Sequence, residues 1–486
     1  MRILTLESID VGRRAVFCRF GLGDLRFSTS LWYEDIDLEA LGRHSPEGLR
    51  RLIFHIGLFE LNRFCSLRPD GVRLGRWAGY LTPALENLWR EIFRKVWAQW
   101  RYENDDPTYD GPVFLDAERA AQSDSGKVAA LVAAPARSGP EVALLCGGGK
   151  DSLISMRLFS EAGVPFDTCA YSSSVYGLAA PQHELIDRLI DRVGADSSTV
   201  PRRLRQYHYD DLMDSPVLRA HPELGVRTLT EAETPFSVFA ALPMMLANGH
   251  RALSIGHERS ADRGQVCWAR TGEDVNHQWG KSAAAERLLN RYLAEELRLP
   301  LHCFSPLKPI YDVVIFALMR RYESDVPFIH SCNLRKPWCL RCPKCLYVWL
   351  GCAAMLPRRT LVATFGNDGL LEDHGRADDF AALMGAGRND GRTPFECIGH
   401  AEETRLYLSV CAARGYCGPA IDLLRERYGP PATALPLLER YLNVDEDPGC
   451  TAMPVGMRQT FIPLLKRAAA EAETYLRGHL TPETNS

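Results

Sequence analysis

The stretch Glu141–Ser152 decides the fold, and it reads EVALLCGGGKDS. Its first part, Val142–Leu145, is a short apolar run typical of a buried strand. Three glycines follow, and the residues from Asp151 to about Ala162 have a helical pattern that Gly163 would stop. The sequence therefore predicts a strand, a tight glycine turn and a helix, in that order.

The turn has the chemistry of a phosphate site. Glycine lets the backbone turn tightly and present bare N–H groups to an anion, and the following helix N-terminus adds its dipole. Lys150 adds a positive charge, whereas Asp151 would repel phosphate unless a metal ion lay between them, so we expect Mg²⁺. The predicted cofactor-binding residues are Gly147, Gly148, Gly149, Lys150, Asp151 and Ser152. The alternative is a plain turn in which Asp151 or Ser152 caps the helix.

Strand and helix patterns alternate after Glu141, which predicts an α/β fold with a parallel sheet and helices on both faces. Residues 1–117 have an α+β pattern with two amphipathic helices, over about 49–61 and 85–100. We predict five regions. They are an N-terminal α+β domain at 1–117, a linker at 118–140, a nucleotide-loop domain at 141–325, a cysteine-rich region at 326–400 and a mainly helical C-terminal region at 401–486 with a loose tail from Pro482.

The composition is that of an ordinary folded protein. The chain has 486 residues, of which 46% are hydrophobic and 24% charged, and its net charge is −4. These values give no bulk electrostatic sign of nucleic-acid binding. We expect no membrane span and no signal peptide, because no apolar run is long enough. The expected location is the cytoplasm, and the expected partner is a small molecule rather than a nucleic acid or a membrane. The sequence patterns give no prediction of the number of subunits.

Four of the fifteen cysteines form a cluster with the spacing C-x6-C-x2-C-x2-C, namely Cys332, Cys339, Cys342 and Cys345. Four thiolates at such spacing can close around one tetrahedral Zn²⁺ with no open position, which predicts a structural site. Free thiols and an iron–sulfur cluster are the competing interpretations. We expect Cys303, Cys352 and Cys397 to be small buried hydrophobic residues instead.

Two polar loops follow the strand predicted at Arg251–Ile255. They are Gly256–Ala261 and Gly272–Lys281, and they contain His257, Glu258, His277 and Lys281. Residues beyond the carboxyl end of a parallel strand face the ligand crevice. Any single one of these polar residues is more often structural, and Trp279 could belong to the core, but their density favours a functional site.

Two resemblances follow from these motifs. The glycine loop resembles the SGGxDS loop of the PP-loop ATP pyrophosphatases, although Gly147 stands where that superfamily has its first serine. This resemblance implies an adenine nucleotide alpha-hydrolase-like fold that cleaves ATP while adenylating a substrate. The cysteine cluster, together with Ser305–Ile310, resembles the 7-cyano-7-deazaguanine synthases (QueC), which carry a four-cysteine zinc site in a similar place.

A longer series of motifs resembles the UDP-N-acetylmuramoyl-L-alanyl-L-glutamate epimerase (MurL) family, from about Glu141 to Arg405. The series comprises Gly147–Leu153, Glu258–Ala261, Glu273 with Val275–Trp279 and Lys281, Ser331–Asn333, Trp338-Cys339, Cys342–Cys345, Phe365-Gly366 and Pro394–Gly399. The QueC family has no recognisable counterpart to Asn276–Trp279 or Pro394–Gly399. The resemblance implies an isomerase of peptidoglycan precursor synthesis that uses ATP and Mg²⁺. It would convert the terminal L-Glu of UDP-MurNAc-L-Ala-L-Glu to D-Glu through an acyl-adenylate, releasing AMP and diphosphate.

The chemistry that this resemblance implies assigns expected roles to individual residues. Asp151 would help to hold Mg²⁺, and Lys150 would neutralise phosphate charge. Candidate proton carriers are His277, Lys281, Glu258 and Cys267. Candidate substrate-binding residues are Arg259, Asn276, Gln278 and Trp279, with Arg335 and Lys344 as further cations for a carboxylate or diphosphate.

Three alternatives remain open at this point. The first is a QueC-like or other PP-loop adenylating enzyme. The second is a MurL relative that epimerises another glutamyl peptide in a specialised pathway. The third is a zinc-stabilised scaffold with a decayed nucleotide site, against which the intact Lys150, Asp151 and Ser152 argue.

Overall fold

The computed structural model describes residues 1–116, 125–133, 139–195, 201–212, 218, 220–221, 229–230, 232–387 and 392–481. Within the predicted linker at 118–140, residues 125–133 form a short helix followed by a 3-10 turn. Residues 118–124 and 134–138 of that linker, and the tail predicted from Pro482, lie outside the described residues.

The strands form one ten-stranded sheet and one small hairpin. Their bounds are β1 Ile3–Val11, β2 Ala15–Leu22, β3 Leu25–Tyr33, β4 Gly71–Arg73, β5 Val113–Phe114, β6 Val142–Cys146, β7 Phe166–Ser173, β8 Arg203–Asp210, β9 Ala252–Ser254, β10 Val266–Trp268, β11 Glu273–Val275 and β12 His302–Phe304. The order in the sheet is β12-β9-β6-β7-β8-β3-β2-β1-β4-β5, and β10 pairs with β11 as the hairpin.

The helices lie mainly on the two faces of the sheet and in the C-terminal third of the chain. Their bounds are α1 Leu38–Gly42, α2 Pro46–Phe64, α3 Pro83–Val96, α4 Ala98–Asn104, α5 Ser125–Ala129, α6 Lys150–Glu161, α7 Ala179–Gly194, α8 Glu233–Asn248, α9 Ala283–Glu295, α10 Asp312–Arg321, α11 Pro343–Met355, α12 Arg358–Phe365, α13 Ala377–Leu383, α14 Ala401–Ala413, α15 Pro419–Tyr428, α16 Leu435–Tyr441 and α17 Val455–Leu480.

Five neighbouring strands are parallel, in the order β12-β9-β6-β7-β8, and β4 also pairs parallel with β1 and β5 at the other end of the sheet. Strand β6 is almost entirely buried because helices cover both of its faces, which explains its continuous apolar sequence. The predicted α/β class is confirmed. Strands β6 and β9 are neighbours, so the loops at their carboxyl ends meet at one edge of the sheet.

The N-terminal strands extend this same sheet. Strand β3 pairs antiparallel with β8, with Leu31 opposite His208, and β2 and β1 continue the antiparallel order. Sequence patterns predicted an α+β N-terminal unit, and the structure shows that its strands share one sheet with the nucleotide-loop strands. The predicted boundary near residue 117 stays a prediction.

Two hydrophobic cores lie against the sheet. Val142 and Leu144 of β6 belong to a core with the C-terminal helices, whereas Ala143 of the same strand belongs to a core with the N-terminal elements. Side chains alternate along a strand, so these neighbours point to opposite faces. Helices α2 and α3 therefore lie on one side of the sheet, and α11 to α17 pack on the other side.

Local signals explain the two predicted N-terminal helices. Helix α2 begins where the Ser45 side chain accepts a hydrogen bond from the Gly48 N–H at 3.1 Å, with Pro46 in the first turn. The second predicted helix is divided at Trp97 into α3 and α4. Among the described residues, no helix combines the length and the apolar character needed to cross a membrane.

Candidate active site

A cavity of about 520 Å³ opens at the edge where the carboxyl ends of β6 and β9 meet. Its walls include the glycine loop, the loop after β9, the loop after β11, the segment that precedes the cysteine cluster and the segment before α14, which are distant in sequence. Representative lining residues are Gly147, Asp151, Ser152, His257, His277, Lys281, His330, Lys344 and Cys397.

The glycine turn has the backbone that its sequence predicted. Gly148 has a φ of +82°, and a Cβ atom there would collide with the imidazole ring of His330. His330 donates its backbone N–H to the Gly148 carbonyl at 2.9 Å. Burial lowers the pKa of His330 to about 3, so the ring is neutral. A Cβ atom at Gly147 would instead meet open space.

Lys150 does not project into this cavity. Its Nζ lies 2.6 Å from a carboxylate oxygen of Asp151 and 2.6 Å from one of Asp312, and its side chain is only 1% exposed. Lys150 was predicted to neutralise phosphate charge, and the structure directs its ammonium toward these two carboxylates. A fully buried lysine requires such partners to remain charged.

Three carboxylates converge beside the loop. One oxygen each of Asp151, Glu258 and Asp312 lie within 4.8 Å of one another. Burial raises the pKa of Asp312 to about 6. Burial would also raise that of Glu258, but Lys150, Lys281 and Lys344 lower its pKa to about 2. Oxygen ligands of this kind fit Mg²⁺. Sequence reasoning missed Asp312, although the Ser305–Ile310 motif directly precedes it.

A second group of reactive side chains lies on another wall. Lys281 Nζ is 2.9 Å from the Sγ of Cys397, and His277 Nε2 is 3.9 Å from the same sulfur. Burial would raise the pKa of Cys397, but Lys281 and His277 lower it to about 6. The expectation that Cys397 is a buried small hydrophobic residue is wrong, because cations surround the thiol. Its place in Pro394–Gly399 was the available signal.

The N-terminal region contributes a residue to this group. Gln99 of α4 lines the cavity, and its Oε1 lies 2.7 Å from His277 Nδ1. The Gln99 amide nitrogen donates to Glu103 at 3.2 Å, which orients the amide so that its oxygen accepts from the imidazole. Nothing in the sequence pattern of α4 pointed to this contact.

The predicted substrate-binding residues occupy different places. Gln278 lines the cavity and donates to the Ile398 carbonyl at 2.8 Å. Asn276 donates to the Ala261 carbonyl of the preceding polar loop at 2.9 Å, and Trp279 packs against the N-terminal core. Arg259 lies outside this cavity, in a surface cleft where it pairs with Asp445 at 3.1 Å.

Three weaker candidates can also be placed. Lys344 lines the cavity and donates to the Cys397 carbonyl. Arg335 contributes its backbone N–H to Cys332 Sγ at 3.3 Å. Cys267 is exposed on β10, apart from the described residues that line the cavity.

The four predicted cysteines form a compact cluster. Cys332 and Cys342 have sulfurs 3.9 Å apart, and the sulfurs of Cys339 and Cys345 are 3.8 Å apart. Four sulfurs at about 2.3 Å from a tetrahedral zinc would be separated by about 3.8 Å. The cluster is therefore able to hold a metal and is compatible with zinc. The same segment of the chain carries His330 and Lys344, which line the cavity.

Comparison with known proteins matches two regions of the chain to one family. Residues 234–306 match the MurL N-terminal domain, and residues 328–418 match the MurL C-terminal domain. Apart from the residues of β6, the glycine loop and α6, most of the residues that line the cavity lie in these two regions. The chain is similar to the MurL family over these two regions. The glycine loop lies before the first matched MurL region.

Three curated relatives carry the name UDP-N-acetyl-alpha-D-muramoyl-L-alanyl-L-glutamate epimerase. The one from a Micromonospora species is 32% identical over 55% of this chain and 56% of its own. Those from Salinispora tropica and Xanthomonas oryzae pv. oryzae are 30% and 31% identical, over 54% and 61% of their own lengths. The chain thus spans little more than half of the MurL relatives that it matches. No solved structure was found to match it.

Proposed function

We propose that this protein is an ATP-dependent epimerase that converts the terminal L-Glu of UDP-MurNAc-L-Ala-L-Glu to D-Glu. The observation that carries the proposal is one cavity that joins the glycine loop and Asp151 to a separate group of proton-transferring side chains, with Glu258 and Asp312 grouped around Asp151 behind the cavity wall. Similarity to three relatives that carry the name of this epimerase supports the choice of substrate.

The need for a nucleotide follows from carbon acidity. The α-proton beside a free carboxylate is very weakly acidic, because the resulting carbanion would lie next to an existing negative charge. Joining that carboxylate to the α-phosphate of ATP gives an acyl-adenylate and releases diphosphate. The negative charge is then removed, and the carbonyl can accept the electron pair of the α-carbon. Hydrolysis after epimerisation releases AMP and the D-Glu product.

The loop residues support ATP as the second substrate. We place the diphosphate against Gly147–Gly149 and Ser152, at the N-terminus of α6, where backbone N–H groups and the helix dipole favour an anion. Asp151, Glu258 and Asp312 would hold Mg²⁺, which would neutralise phosphate charge. Lys150 would keep Asp151 and Asp312 together and reduce their mutual repulsion.

The cysteine cluster has a structural role in this proposal. Zinc bound by four thiolates has no open coordination position, so it would hold the segment 330–345 in place and take no part in the reaction. The N-terminal region would select the substrate, since Val96 and Gln99 line the same cavity. The reaction would take place in the cytoplasm, where nucleotide-linked precursors of the cell wall are made.

The test is an assay in D₂O with ATP, Mg²⁺ and UDP-MurNAc-L-Ala-L-Glu. We expect D-Glu in the hydrolysed product, deuterium at its α-carbon and one AMP for each turnover. Asp151→Ala should abolish all three while the zinc content stays the same. Asp24→Ala, at the exposed turn between β2 and β3, is the matched control and should behave as the wild type.

Two results would contradict the proposal. One is epimerisation at an undiminished rate without any nucleotide. The other is AMP formation with 7-carboxy-7-deazaguanine and none with any glutamyl peptide, which would favour the QueC-like alternative. AMP formation with a different glutamyl peptide would keep the reaction and change the substrate.

A further inference from the structure

Three ionisable side chains meet at one point in the cavity wall, although their segments are far apart in sequence. Cys397 lies 120 residues after His277, and Lys281 approaches its sulfur from the short turn that precedes α9. All three line the same cavity as Asp151 and the glycine loop. A thiol that served only packing would have apolar neighbours instead.

The surroundings of Cys397 favour the thiolate. Burial would raise its pKa, but the positive charges of Lys281, His277 and Lys344 lower it to about 6. Cys411 of α14 shows the opposite case, since burial raises its pKa to about 12. Cys397 is therefore largely ionised at neutral pH, and it is half-buried at the cavity surface.

The imidazole of His277 is held in one orientation. Its Nδ1 faces the Gln99 oxygen at 2.7 Å, so Nδ1 carries the proton that this acceptor requires. Its Nε2 then faces the sulfur of Cys397 at 3.9 Å. The thiolate raises the pKa of His277 against the effect of burial. A sulfur with an adjacent imidazole and an orienting amide is an arrangement that moves protons.

We propose that Cys397 is the catalytic base that removes the α-proton of the activated glutamyl residue, with Lys281 and His277 holding the thiolate. The assignment rests on the proposed function, because the proton is acidic only after adenylation. Sequence reasoning had named His277 and Lys281 as proton carriers, and the geometry makes them the positioning partners of a third residue.

The proton transfer balances without a further reagent. The α-carbon–hydrogen bond breaks, its proton forms the S–H bond of Cys397, and the electron pair delocalises onto the adenylate carbonyl oxygen. Water donates a proton to the opposite face of the carbon. The thiol then returns its own proton to the solvent through His277, so that one solvent hydrogen replaces the substrate hydrogen.

Two measurements on the same preparations test this assignment. The first is substrate-dependent exchange of labelled diphosphate into ATP, which reports adenylation alone. The second is deuterium incorporation at the glutamyl α-carbon in D₂O, which reports proton removal. Cys397→Ala should exchange diphosphate at close to the wild-type rate and lose deuterium incorporation by about 10²–10⁴-fold, the usual size of general-base catalysis. Cys397→Ser should also lose it, because a hydroxyl is not ionised at neutral pH.

The controls separate the possible failures. Cys417→Ser, at an exposed cysteine, should match the wild type in both measurements. Deuterium incorporation by Cys397→Ala within tenfold of the wild type would overturn the assignment and leave adenylation intact. Wild-type protein that exchanges no diphosphate would overturn the proposed function and, with it, the role of Cys397.

A third measurement needs no substitution. Iodoacetamide at pH 6.5 should alkylate Cys397 of the wild-type protein faster than it alkylates Cys417, because only the thiolate reacts. The alkylated protein should keep its zinc and its diphosphate exchange and should lose deuterium incorporation. Complete alkylation without loss of deuterium incorporation would contradict the proposal, even if both Cys397 variants failed to fold.

Discussion

Replacement of Gly148 by alanine tests the glycine loop most directly. Two costs add at this position. A non-glycine residue with a φ of +82° is strained by about 1–2 kcal/mol, and the new methyl group would overlap the ring of His330. His330 is almost fully buried, so the ring has little room to move, and overpacking of this kind costs about 1–3 kcal/mol. We therefore expect Gly148→Ala to lose about 2–5 kcal/mol of unfolding free energy.

Urea unfolding of four proteins separates these two costs: the wild type, Gly148→Ala, His330→Ala and the double variant. Removal of the imidazole removes the overlap but not the backbone strain. The double variant should therefore be more stable than the sum of the single effects predicts, by at least about 1 kcal/mol. Gly147→Ala is the matched control, because a methyl group there meets open space, and its change should stay within about 0.5 kcal/mol.

Calorimetric titration with ATP and Mg²⁺ adds the functional measurement. Gly148→Ala should bind ATP more weakly, because the displaced turn no longer directs its N–H groups at the phosphates. Additive effects in the four proteins, or a Gly148→Ala variant as stable as the wild type, would refute the close packing of this loop against His330.

Three further predictions follow from other parts of the structure. Gly147→Ser places a hydroxyl in open space, at the position where the PP-loop superfamily has a serine. One new hydrogen bond of about 0.5–1.5 kcal/mol should tighten ATP binding by about 2–12-fold in the same titration. Unchanged or weaker binding would contradict this prediction. Cys342→Ser should reduce zinc content by elemental analysis and lower the melting temperature, whereas Cys417→Ser should change neither. Glu286 is buried, which raises its pKa to about 7 from 4.5. The folded protein therefore binds this proton more tightly than the unfolded chain, so stability should fall by about 3 kcal/mol as the pH rises from about 4.5 to 7, and Glu286→Gln should flatten this part of the urea-unfolding profile.

Features that depend on local chemistry were predictable from the sequence. The strand–glycine–helix order at β6 and α6 and the start of α2 are set by residues within a few positions of one another. The four-cysteine spacing also predicted a group of ligand atoms that the structure brings together. In each case, backbone conformation and short spacing fix the arrangement.

Features that depend on packing between distant segments were not predictable. Gln99 and His277 are 178 residues apart, and only the position of α4 on the sheet brings them together. The direction of Lys150 depends on Asp312, a residue 162 positions away. A lysine beside glycines predicts a phosphate contact from local rules, but a buried carboxylate decided where this ammonium points. The charge around Cys397 comes from Lys281 and His277, which precede it by 116 and 120 residues, so spacing along the chain did not show it.

The antiparallel pairing of β3 with β8 has a consequence for how the sequences of related proteins can diverge. The matched domains begin at residue 234, yet the first hundred residues are attached to the central sheet and support His277 through Gln99. In a chimera that exchanges this segment between two relatives, the residue at position 99 would come from one protein and the residue at position 277 from the other. The turnover rate of such a chimera should be high only where the two residues still form this hydrogen bond. Natural variation at the two positions is therefore expected to be coupled.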